Sequence, residues 1–427
     1  MDKQSVHSDS TTNPNLTINK LLDEPILFIE SVWFDPAGPT IWNQANMQHA
    51  NRSFKQLSTR AIFMAKESDT VIVDANVDRL LLEFFTDIGL KANISILANS
   101  DQNTLIDDII NDPKLHSIVT TWSSHIETYM PTKLNDKIRL NNSKSINLSP
   151  PEVVTMLNSK VVFDKILDDA GVNKIKTDLL SSRAAAYRIL NSNQPLILKS
   201  PYSLGGSGIY FLDSKQNREL AMKILNRSLP TAFFILQESI KIKKTFNLQL
   251  YITDEESHIF SLSEEILDQD RKSHIGNLFF PAESESLLEE FEKIIEKLIS
   301  EVILFGYKGL LGIDFILDSN NRLYPIEFNA RHNSSTHAIW YINRLFNGNP
   351  LQFGPTERTA YLQVELGREV SVKEILKLLA SDLFDLDQKR GIIIQESFGG
   401  KLPLIIIGDD KNDRDRLLAR SQMLSTM

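Results

Sequence analysis

Short apolar runs alternate with amphipathic stretches along the first third of the chain. Five runs have the length of a β-strand, and they lie at residues 26–29, 61–64, 70–73, 94–97 and 117–120. A stretch with helical spacing, residues 78–88, separates two of them. Because strands that alternate with helices usually pair as a parallel sheet, this pattern predicts an α/β domain over residues 25–148.

The chain before and after this region is polar. Ser, Thr, Asn and Asp make up much of residues 1–24 and offer little to bury, so we expect a disordered tail there. A second polar stretch, residues 141–147, leads into a Ser-Pro-Pro sequence at 149–151. Prolines interrupt periodic structure, so these features predict a linker and a domain boundary after residue 148.

The remainder of the chain predicts an α+β architecture with hairpins. Strand-like runs lie at residues 196–199, 209–212, 233–237, 248–252 and 259–262. Apolar residues recur with helical spacing over residues 288–305, which predicts an amphipathic helix. From about residue 350 the chain holds one more helix and two apolar runs, 391–394 and 402–407, which we expect to complete the preceding domain.

The strongest local signal is a pair of alternating apolar segments joined by an Asn-rich turn. This pattern predicts a β-hairpin. If the Asn-Asn dipeptide at 320–321 forms a two-residue turn, Asp314 lies directly opposite Glu327. Asn329 and Arg331 then follow on the same face of the second strand, because side chains alternate with a period of two.

Two carboxylates opposite one another would conflict. Cross-strand Cβ atoms lie about 5 Å apart, and like charges at that distance repel. A divalent cation would remove the conflict, and the oxygens of Asp314, Glu327 and Asn329 suit Mg²⁺ shared with phosphate oxygens. The alternative is that one carboxylate points to solvent or pairs with Arg331. Pro325 cannot donate to a strand ladder, so we expect an edge strand or a bulge there.

A glycine-rich segment follows the apolar run 196–199. Three glycines in four positions let backbone N–H groups converge on anionic oxygens, and a lysine adds positive charge. The candidate contacts are Lys199, Ser203, Gly205, Gly206, Ser207 and Gly208. The segment leads into a strand and not into a helix, so neither a Walker A loop nor a Rossmann fingerprint fits. The alternative is an ordinary surface turn.

A third pattern is a buried-strand run that ends in polar residues. The run 233–236 is followed by Gln237, Glu238, Ser239 and Ile240. Such a crossing can offer backbone and carboxylate hydrogen bonds to an adenine and a ribose.

The composition limits the partners, the chemistry and the compartment that fit this chain. The formal charge of −9, from 46 basic and 55 acidic residues, argues against a nucleic acid or an anionic membrane as partner. The absence of cysteine excludes disulfides, thiolate nucleophiles and Cys-ligated zinc, and fits a reducing compartment. The N-terminus lacks an apolar h-region, and no stretch approaches the roughly 18 apolar residues that span a membrane. We therefore expect a cytoplasmic protein.

Taken in order, these motifs resemble the ATP-grasp superfamily over roughly residues 158–340. The order is a lysine before a helix, a lysine before a glycine-rich hairpin, the hinge at 237–238, then Gly-x-Asp and Glu-x-Asn-x-Arg. The resemblance implies a two-lobed ATP-grasp fold with a small lobe over residues 149–236. The large lobe would cover 237–427 with a C-terminal α/β extension. The α/β segment before it is similar to the Rossmann-like pre-ATP-grasp domain of peptide and amino-acid ligases.

The resemblance also implies roles for individual residues. Lys160 and Lys199 match the positions that hold nucleotide phosphates, and residues 238–240 match the segment that holds the adenine. The hairpin carboxylates and amide match the magnesium positions. Arg331 matches the arginine that stabilises the transferring phosphoryl group or the acyl phosphate. Where many members have an acidic residue after the hinge, this chain has Asn247, which joins the candidate nucleotide contacts.

The activity that the resemblance implies is ATP-dependent carboxylate–amine ligation through an acyl phosphate, with Arg331 and Lys199 as catalytic residues. The products would be an amide or peptide bond, ADP and phosphate. Positioning and charge neutralisation are what phosphoryl transfer asks of a protein. The implied cofactors are ATP and Mg²⁺, with Mn²⁺ as a substitute, and the implied substrates are small-molecule carboxylates and amines such as amino acids or peptides. Dimerisation is common in the family, so a homodimer is one expected state.

Five further residues are candidates for substrate contacts: Arg271, His274, Asn277, His332 and His337. The first three lie in a polar segment that is placed to fold over a site, with a solvated loop as the alternative. The last two follow the metal strand, and their spacing is not that of a zinc-binding helix.

Three other functions stay open at this stage. The first is a biotin-dependent type of carboxylase, although the Glu-His pair that follows the arginine in those chains is replaced here by residues 333–336. The second is a catalytically weak protein that binds ATP without turnover. The third is an unrelated α/β binding protein in which the hairpin match is fortuitous.

Overall fold

The computed structural model describes ten stretches of the chain. They cover residues 22–30, 56–73, 77–97, 105–131, 149–202, 208–253, 257–268, 273–280, 287–350 and 357–426. The strands form two sheets of four and one sheet of eight. The predicted mixed α/β and α+β fold class is confirmed.

The first sheet is parallel, as the alternation of strands and helices predicts. Its strands are β1 (Ile26–Ile29), β2 (Thr70–Val73), β3 (Asn93–Ile96) and β4 (His125–Thr128), in the order β3-β2-β1-β4. Its helices are α1 (Arg60–Met64), α2 (Arg79–Asp87), α3 (Leu105–Asn111) and α4 (Pro113–Thr121).

Two predicted strands of this region are helices. The run 61–64 lies in α1, where all five residues are buried, and the run 117–120 lies in α4. A short apolar run cannot distinguish a buried helix from a buried strand. The helix signal of α4 lies upstream of the run, where Asp112 accepts hydrogen bonds from the N–H groups of Lys114 and Leu115.

Residues at the end of the expected tail contact the first sheet. Lys66 Nζ donates to the carbonyl oxygens of Leu22 and Glu24, and the hydroxyl of Ser124 donates to the Glu24 carboxylate at 2.8 Å. Residues 22–24 therefore belong with the first sheet and not with the tail. Residues 1–21 lie outside the described residues.

The second sheet is antiparallel and carries helices on one face. The elements are α5 (Pro151–Leu157), α6 (Lys160–Asp169), β5 (Thr177–Ser181), α7 (Ser182–Leu190), β6 (Leu196–Lys199), β7 (Ile209–Phe211), α8 (Lys215–Arg227) and β8 (Phe233–Glu238). The strand order is β5-β8-β6-β7, and α7 and α8 bury their apolar faces against it. β8 continues through the predicted lobe boundary at residue 236, so Gln237 and Glu238 lie in this sheet.

The third sheet is antiparallel and has eight strands. Its elements are β9 (Ile242–Ile252), β10 (Ser257–Leu267), β11 (His274–Phe279), α9 (Leu288–Leu304), β12 (Gly309–Asp318), β13 (Leu323–Asn329), α10 (Thr336–Asn347), β14 (Thr359–Glu365), α11 (Val372–Leu379), β15 (Gly391–Ile394), β16 (Lys401–Ile407) and α12 (Lys411–Gln422). The order is β13-β12-β9-β10-β11-β14-β16-β15, so β13 lies at one edge. The strands after residue 350 extend this same sheet.

One contiguous core joins the first and third sheets. Phe28 of β1 meets Trp340 of α10 edge to face, with ring centroids 6.4 Å apart. Phe63 of α1 packs against Tyr341 in the same way at 6.0 Å. Arg344 extends the contact by donating to backbone carbonyls of α1. The segment after β13 therefore lies directly against the N-terminal sheet, and this contact positions the site. Across the described helices, none has both the length and the apolar character needed to cross a membrane.

Candidate active site

The hairpin of β12 and β13 places Asp314 opposite Glu327, as predicted. The turn differs from the prediction. Leu317 pairs with Leu323, and the same register places residue 318 opposite residue 322, so the loop has the three residues 319–321. Asn321 lies in the left-handed region at φ 59°. A bulge between this turn and the acidic pair then shifts the register by one residue. The extra residue in the turn and the extra residue in the bulge shift the register in opposite directions, so the predicted pairing of Asp314 with Glu327 is kept. Pro325 lies at the bulge on an edge strand, so both expectations for this proline are met.

A glycine lets another segment approach this hairpin closely. A Cβ at Gly312 would lie 2.2 Å from the side-chain amide nitrogen of Asn333. Only glycine fits without displacement of that amide. The Gly-x-Asp motif therefore has a packing reason as well as its family resemblance.

Glu327 forms an ion pair with Lys160. The ammonium group of Lys160 donates to Glu327 Oε2, and the lysine side chain is only 7% exposed. Lys160 is the first residue of α6, and its backbone N–H donates to the carbonyl oxygen of Pro201 at 2.9 Å. The helix start therefore holds this lysine against the hairpin.

Asp314 is a buried carboxyl group whose surroundings raise its pKa. Its carboxylate accepts hydrogen bonds from the amides of Asn247 at 2.6 Å and Asn329 at 2.9 Å. Burial, and then the negative charges of Glu265 and Glu327, raise its pKa well above the ordinary value, and the two hairpin carboxyls share a hydrogen bond. Burial alone would raise the pKa of Glu327, but the charge of Lys160 lowers it. The surroundings therefore favour the neutral form of Asp314 and the charged form of Glu327.

The sequence pattern did not predict Glu265, a third carboxylate near this pair, as a residue of the site. It lies on β10 and faces Asn277 across the ladder. Burial raises its pKa to about 7, and the charge of Glu327 adds to the effect. The only signal was two adjacent acidic residues at the end of an apolar strand. The proximity of Glu265 to the hairpin depends on the sheet order, which no local pattern gives.

The donor set fits a hard divalent cation. Asn247 donates its amide to Asp314, while its side-chain oxygen is buried and has no hydrogen-bond partner. That oxygen, the two carboxyls and the Asn329 amide supply the oxygen ligands that Mg²⁺ prefers. In the described part of the chain, no three His, Asp or Glu side chains are grouped so as to hold a metal ion by themselves. A cation here would therefore rely on amide or phosphate oxygens as well.

A cavity lies between β13, α6 and the second sheet. Its lining comprises Lys160, Phe163, Asp164, Leu167, Lys174, Ile175, Thr177, Lys199, Ile235, Gln237, Pro325 and Ile326. Lys199 is 8% exposed. Burial, and then the charge of Lys160, lower its pKa to about 8. A cavity whose lining is half apolar and includes two buried lysines suits a flat ring joined to an anionic group.

The residues of the predicted hinge differ in whether they line this cavity. Gln237 lines it, and its side-chain amide donates to the hydroxyl of Thr177 at 3.1 Å. Glu238 instead pairs with Lys176 at 2.9 Å near the surface. The Ser239 backbone N–H donates to the carbonyl of residue 195, and Ile240 packs in a small apolar cluster below the hairpin.

Part of the predicted phosphate loop lies outside the described residues. These are residues 203–207, which include Ser203, Gly205, Gly206 and Ser207. Gly208 is described, with φ 77°, and its carbonyl accepts from the Ser200 N–H at 2.9 Å. Arg271 also lies outside the described residues.

Arg331 lies beside the hairpin amide and is held by several contacts. It donates to Asn329 Oδ1 at 2.7 Å, to the carbonyl of His332 at 2.9 Å and to the hydroxyl of Tyr129 at 3.3 Å. Its guanidinium also lies over the Tyr129 ring, 5.8 Å from the centroid. The N-terminal region therefore helps to orient this arginine.

His332 is not placed to bind a substrate, contrary to expectation. One ring nitrogen bonds to Glu30 and the other to Glu127 at 2.9 Å, and all three side chains are buried. Burial alone would lower the pKa of His332, but the two carboxylates raise it to about 10, so the ring is an imidazolium. Burial would raise the pKa of Glu127, whereas hydrogen bonds from His125 and His332 lower it to about 2. These charges join β1 and β4 to the residue next to Arg331.

The other described substrate candidates, His274, Asn277 and His337, form hydrogen bonds within the protein. His274 Nε2 bonds to Asn277 Oδ1 at 2.8 Å, and burial lowers its pKa to about 4. His337 Nε2 bonds to Gln395 Oε1 at 2.8 Å, and burial lowers its pKa well below the ordinary value. Burial therefore disfavours the charged form of both rings.

Comparison with known proteins agrees with this geometry. Residues 157–335 match the model of an ATP-grasp domain. The [butirosin acyl-carrier protein]–L-glutamate ligase of Niallia circulans is 23% identical over 297 residues, which is 66% of each chain. The arginine-specific carbamoyl phosphate synthase large chain of Cutaneotrichosporon cutaneum is 30% identical over 143 residues, which is 33% of this chain and 12% of that one.

Solved structures share the fold at low identity. N5-carboxyaminoimidazole synthetase from Staphylococcus aureus, complexed with ADP, has a TM-score of 0.57 at 14% identity and covers 93% of this chain and 96% of its own. Biotin carboxylase from Campylobacter jejuni has a TM-score of 0.58 at 14% identity and covers 94% of each chain. Residues 157–335 of this chain therefore form an ATP-grasp domain. The proteins to which the chain is similar include enzymes named as ligases, which supports an ATP-dependent C–N ligase.

Proposed function

We propose that the protein is a carboxylate–amine ligase that activates a carboxylate as an acyl phosphate at the expense of ATP. The observation that carries the proposal is the grouping of three cations around the hairpin, beside a cavity. Lys160 pairs with Glu327, Lys199 lines the cavity, and Arg331 donates to Asn329. The similarity to a glutamate ligase supports the reaction class.

The nucleotide would lie in the cavity between α6 and the second sheet. Phe163, Ile235 and Ile326 give its walls an apolar surface for the adenine. Lys160 and Lys199 would face the phosphates. Because the pKa of Lys199 is only about 8 in the protein alone, an approaching anionic phosphate favours its protonated form.

Asp314, Glu327 and Asn329 would hold Mg²⁺, with the Asn247 oxygen within the same group of donors. When bound, the ion neutralises phosphate charge and fixes the phosphate oxygens. A bound cation would favour the charged form of Asp314 and would take the place of Lys160 beside Glu327, which would free both acidic side chains for this role.

The first chemical step is attack of the substrate carboxylate on the γ-phosphorus. The bond to the bridging oxygen of ADP breaks, and Arg331 is positioned to stabilise the charge on the transferring group. In the second step an amine attacks the carbonyl carbon of the acyl phosphate, phosphate leaves, and the nitrogen loses a proton. A carboxylate needs this activation because direct attack would have to expel oxide from an anion.

The test is a screen for ADP release with Mg²⁺ and ATP across amino acids and short peptides. Hydroxylamine in place of the amine should trap an acyl phosphate as a hydroxamate. We expect ADP release that depends on a carboxylate and a hydroxamate product with the wild type. ADP release that requires neither substrate, or none under any condition, would contradict the proposal.

The likeness to biotin carboxylase makes a bicarbonate-dependent carboxylase the second candidate. The same assay separates the two reactions. ADP release that depends on bicarbonate and yields no hydroxamate would favour the carboxylase.

A further inference from the structure

A second group of polar side chains, outside the lining of the cavity described above, is packed inside the protein. We call it the Arg60 cluster, and it consists of Arg60 on α1, His274 on β11, His337 on α10, Tyr361 on β14 and Gln395 after β15. The rings of His337 and Tyr361 meet at right angles with centroids 5.5 Å apart. The cluster therefore joins the N-terminal region to the third sheet.

Arg60 is a buried cation with few partners. Its side chain is 5% exposed, and one terminal nitrogen donates to the Tyr361 hydroxyl at 3.1 Å. The guanidinium lies over the ring of Phe398 at 5.3 Å. Its Nε atom is buried and has no hydrogen-bond acceptor, and within the described stretches no carboxylate pairs with this arginine. A buried guanidinium without an anion is costly, so the cluster is suited to receive one.

Gln395 presents a second buried donor without an acceptor. Gln395 is 2% exposed, and its Oε1 atom is hydrogen-bonded to His337. Its Nε2 atom has no partner. A histidine ring is neutral or positive, so the two histidines of the cluster supply no negative charge. Two donors without acceptors and one positive charge together specify a ligand rich in acceptor oxygens.

The cluster lies next to the proposed reaction centre. The segment that follows Arg331 contacts the cluster, because the Ser334 hydroxyl lies 3.4 Å from His274 Nδ1. His337, six residues after Arg331, is itself a member of the cluster and bonds to Gln395. The cluster and Arg331 are therefore linked through one short segment of the chain.

We propose that Arg60 and Gln395 bind a second carboxylate of the substrate, one that is not phosphorylated. The substrate class would then be a dicarboxylate, or an amino acid bound through the carboxylate that does not react. This inference rests on the proposed ligase function and names the substrate class of the same site. A purely structural Arg60, linking α1 to β14, is the competing explanation.

The test uses Gln395→Glu and Arg60→Gln in the full chain. Gln395→Glu keeps the shape of the side chain and introduces an anion that would compete with the ligand for Arg60. Arg79→Gln on α2 is the matched control, since Arg79 is 91% exposed. Binding of glutarate and succinate, and of their monoamides, is measured by calorimetry with Mg²⁺ and a nonhydrolysable ATP analogue present.

For the wild type and the Arg79 control we expect dicarboxylates to bind at least about 10-fold more tightly than their monoamides. Both cluster variants should lose that preference, while their affinity for the ATP analogue changes by less than about 3-fold. If either variant keeps the preference, or the wild type binds no dicarboxylate at about 10 mM, the assignment is overturned.

The ADP-release screen separates this result from the proposed function. Carboxylate-dependent ADP release without any preference for dicarboxylates would refute the role of Arg60 and leave the ligase intact. The absence of ADP release with every substrate would refute the ligase itself.

Discussion

Lys160, the first residue of α6, donates to Glu327 on the edge strand β13, so the ion pair joins residues 167 positions apart in the sequence. Lys160 lines the cavity, and so do Pro325 and Ile326, the two residues before Glu327. Each charge of the pair compensates the other. Removing one partner should therefore affect both the proposed metal site and the lysine proposed to face the phosphates.

The first prediction concerns Glu327→Gln. We expect kcat for ADP release to fall by at least about 100-fold, because one charged oxygen ligand is lost from the proposed metal site. The variant should also be less stable by about 1 to 3 kcal/mol, since the buried ammonium group of Lys160 loses its anion. ADP release and urea denaturation measure the two effects.

Glu289→Gln is the matched control, because Glu289 pairs with Lys293 on the exposed face of α9. We expect this variant to match the wild type in both measurements. Wild-type turnover by Glu327→Gln would remove the hairpin from the proposed metal site.

The second prediction concerns the charge of Lys199. Its ammonium form, which attracts phosphate, is populated below a pKa of about 8 in the protein without nucleotide. The affinity for ADP should therefore fall as the pH rises through about 8. Lys199→Ala should weaken ADP binding by about 10- to 100-fold at neutral pH and remove this pH dependence. Calorimetry at several pH values measures both.

Lys165→Ala provides the comparison, since that lysine is 73% exposed and pairs with Asp169 on α6. It should keep the wild-type affinity and pH profile. A pH profile in Lys199→Ala that equals the wild type would show that another group controls nucleotide binding.

The sequence allowed the acidic pair to be predicted because strand alternation is a local property. Asp314 and Glu327 are opposite one another even though the turn has three residues and not two, because the bulge at Pro325 restores the register. The parallel sheet was likewise predictable from alternation, but α1 was not. Its run is apolar throughout, and only tertiary packing decides between a helix and a strand.

The rest of the site depends on contacts between distant segments. Glu265 lies near the hairpin because β9 is the one strand between β10 and β12 in the sheet. The order of strands in a sheet depends on the whole fold and not on a local pattern. Glu30 and Glu127 end near His332 because the N-terminal sheet packs against the segment after β13. No spacing in the sequence connects these residues. The roles proposed for the lysines, the hinge and the metal residues stay predictions.

The third prediction concerns Gly312→Ala. The new methyl group would meet the Asn333 amide at less than van der Waals distance, so we expect a loss of about 1 to 3 kcal/mol of stability. The double variant with Asn333→Ala should recover part of this loss, because the clashing atoms are gone. Thermal unfolding of both single variants and the double variant gives the coupling energy. Equal and additive losses would show that the two residues do not meet.

The fourth prediction concerns the pH range over which the buried ion cluster stabilises the fold. The pKa of Glu127 is lowered to about 2 in the folded protein, so its contribution is present above its unfolded value near 4.5 and is lost as the pH falls toward 2. The pKa of His332 is raised to about 10, so its contribution is complete below about 6.5 and is lost as the pH rises toward 10. Stability should therefore be greatest between about pH 4.5 and 6.5 and decline on both sides.

His332→Gln tests the source of the decline on the alkaline side. This variant leaves two buried carboxylates without their cation, so we expect it to lose about 3 to 5 kcal/mol at pH 6. Above pH 10 the difference from the wild type should shrink, because the wild-type ring is then neutral as well. His116→Gln on α4 is the control and should follow the wild type throughout. A difference between His332→Gln and the wild type that stays constant from pH 6 to 10 would show that the ring packs without carrying a charge.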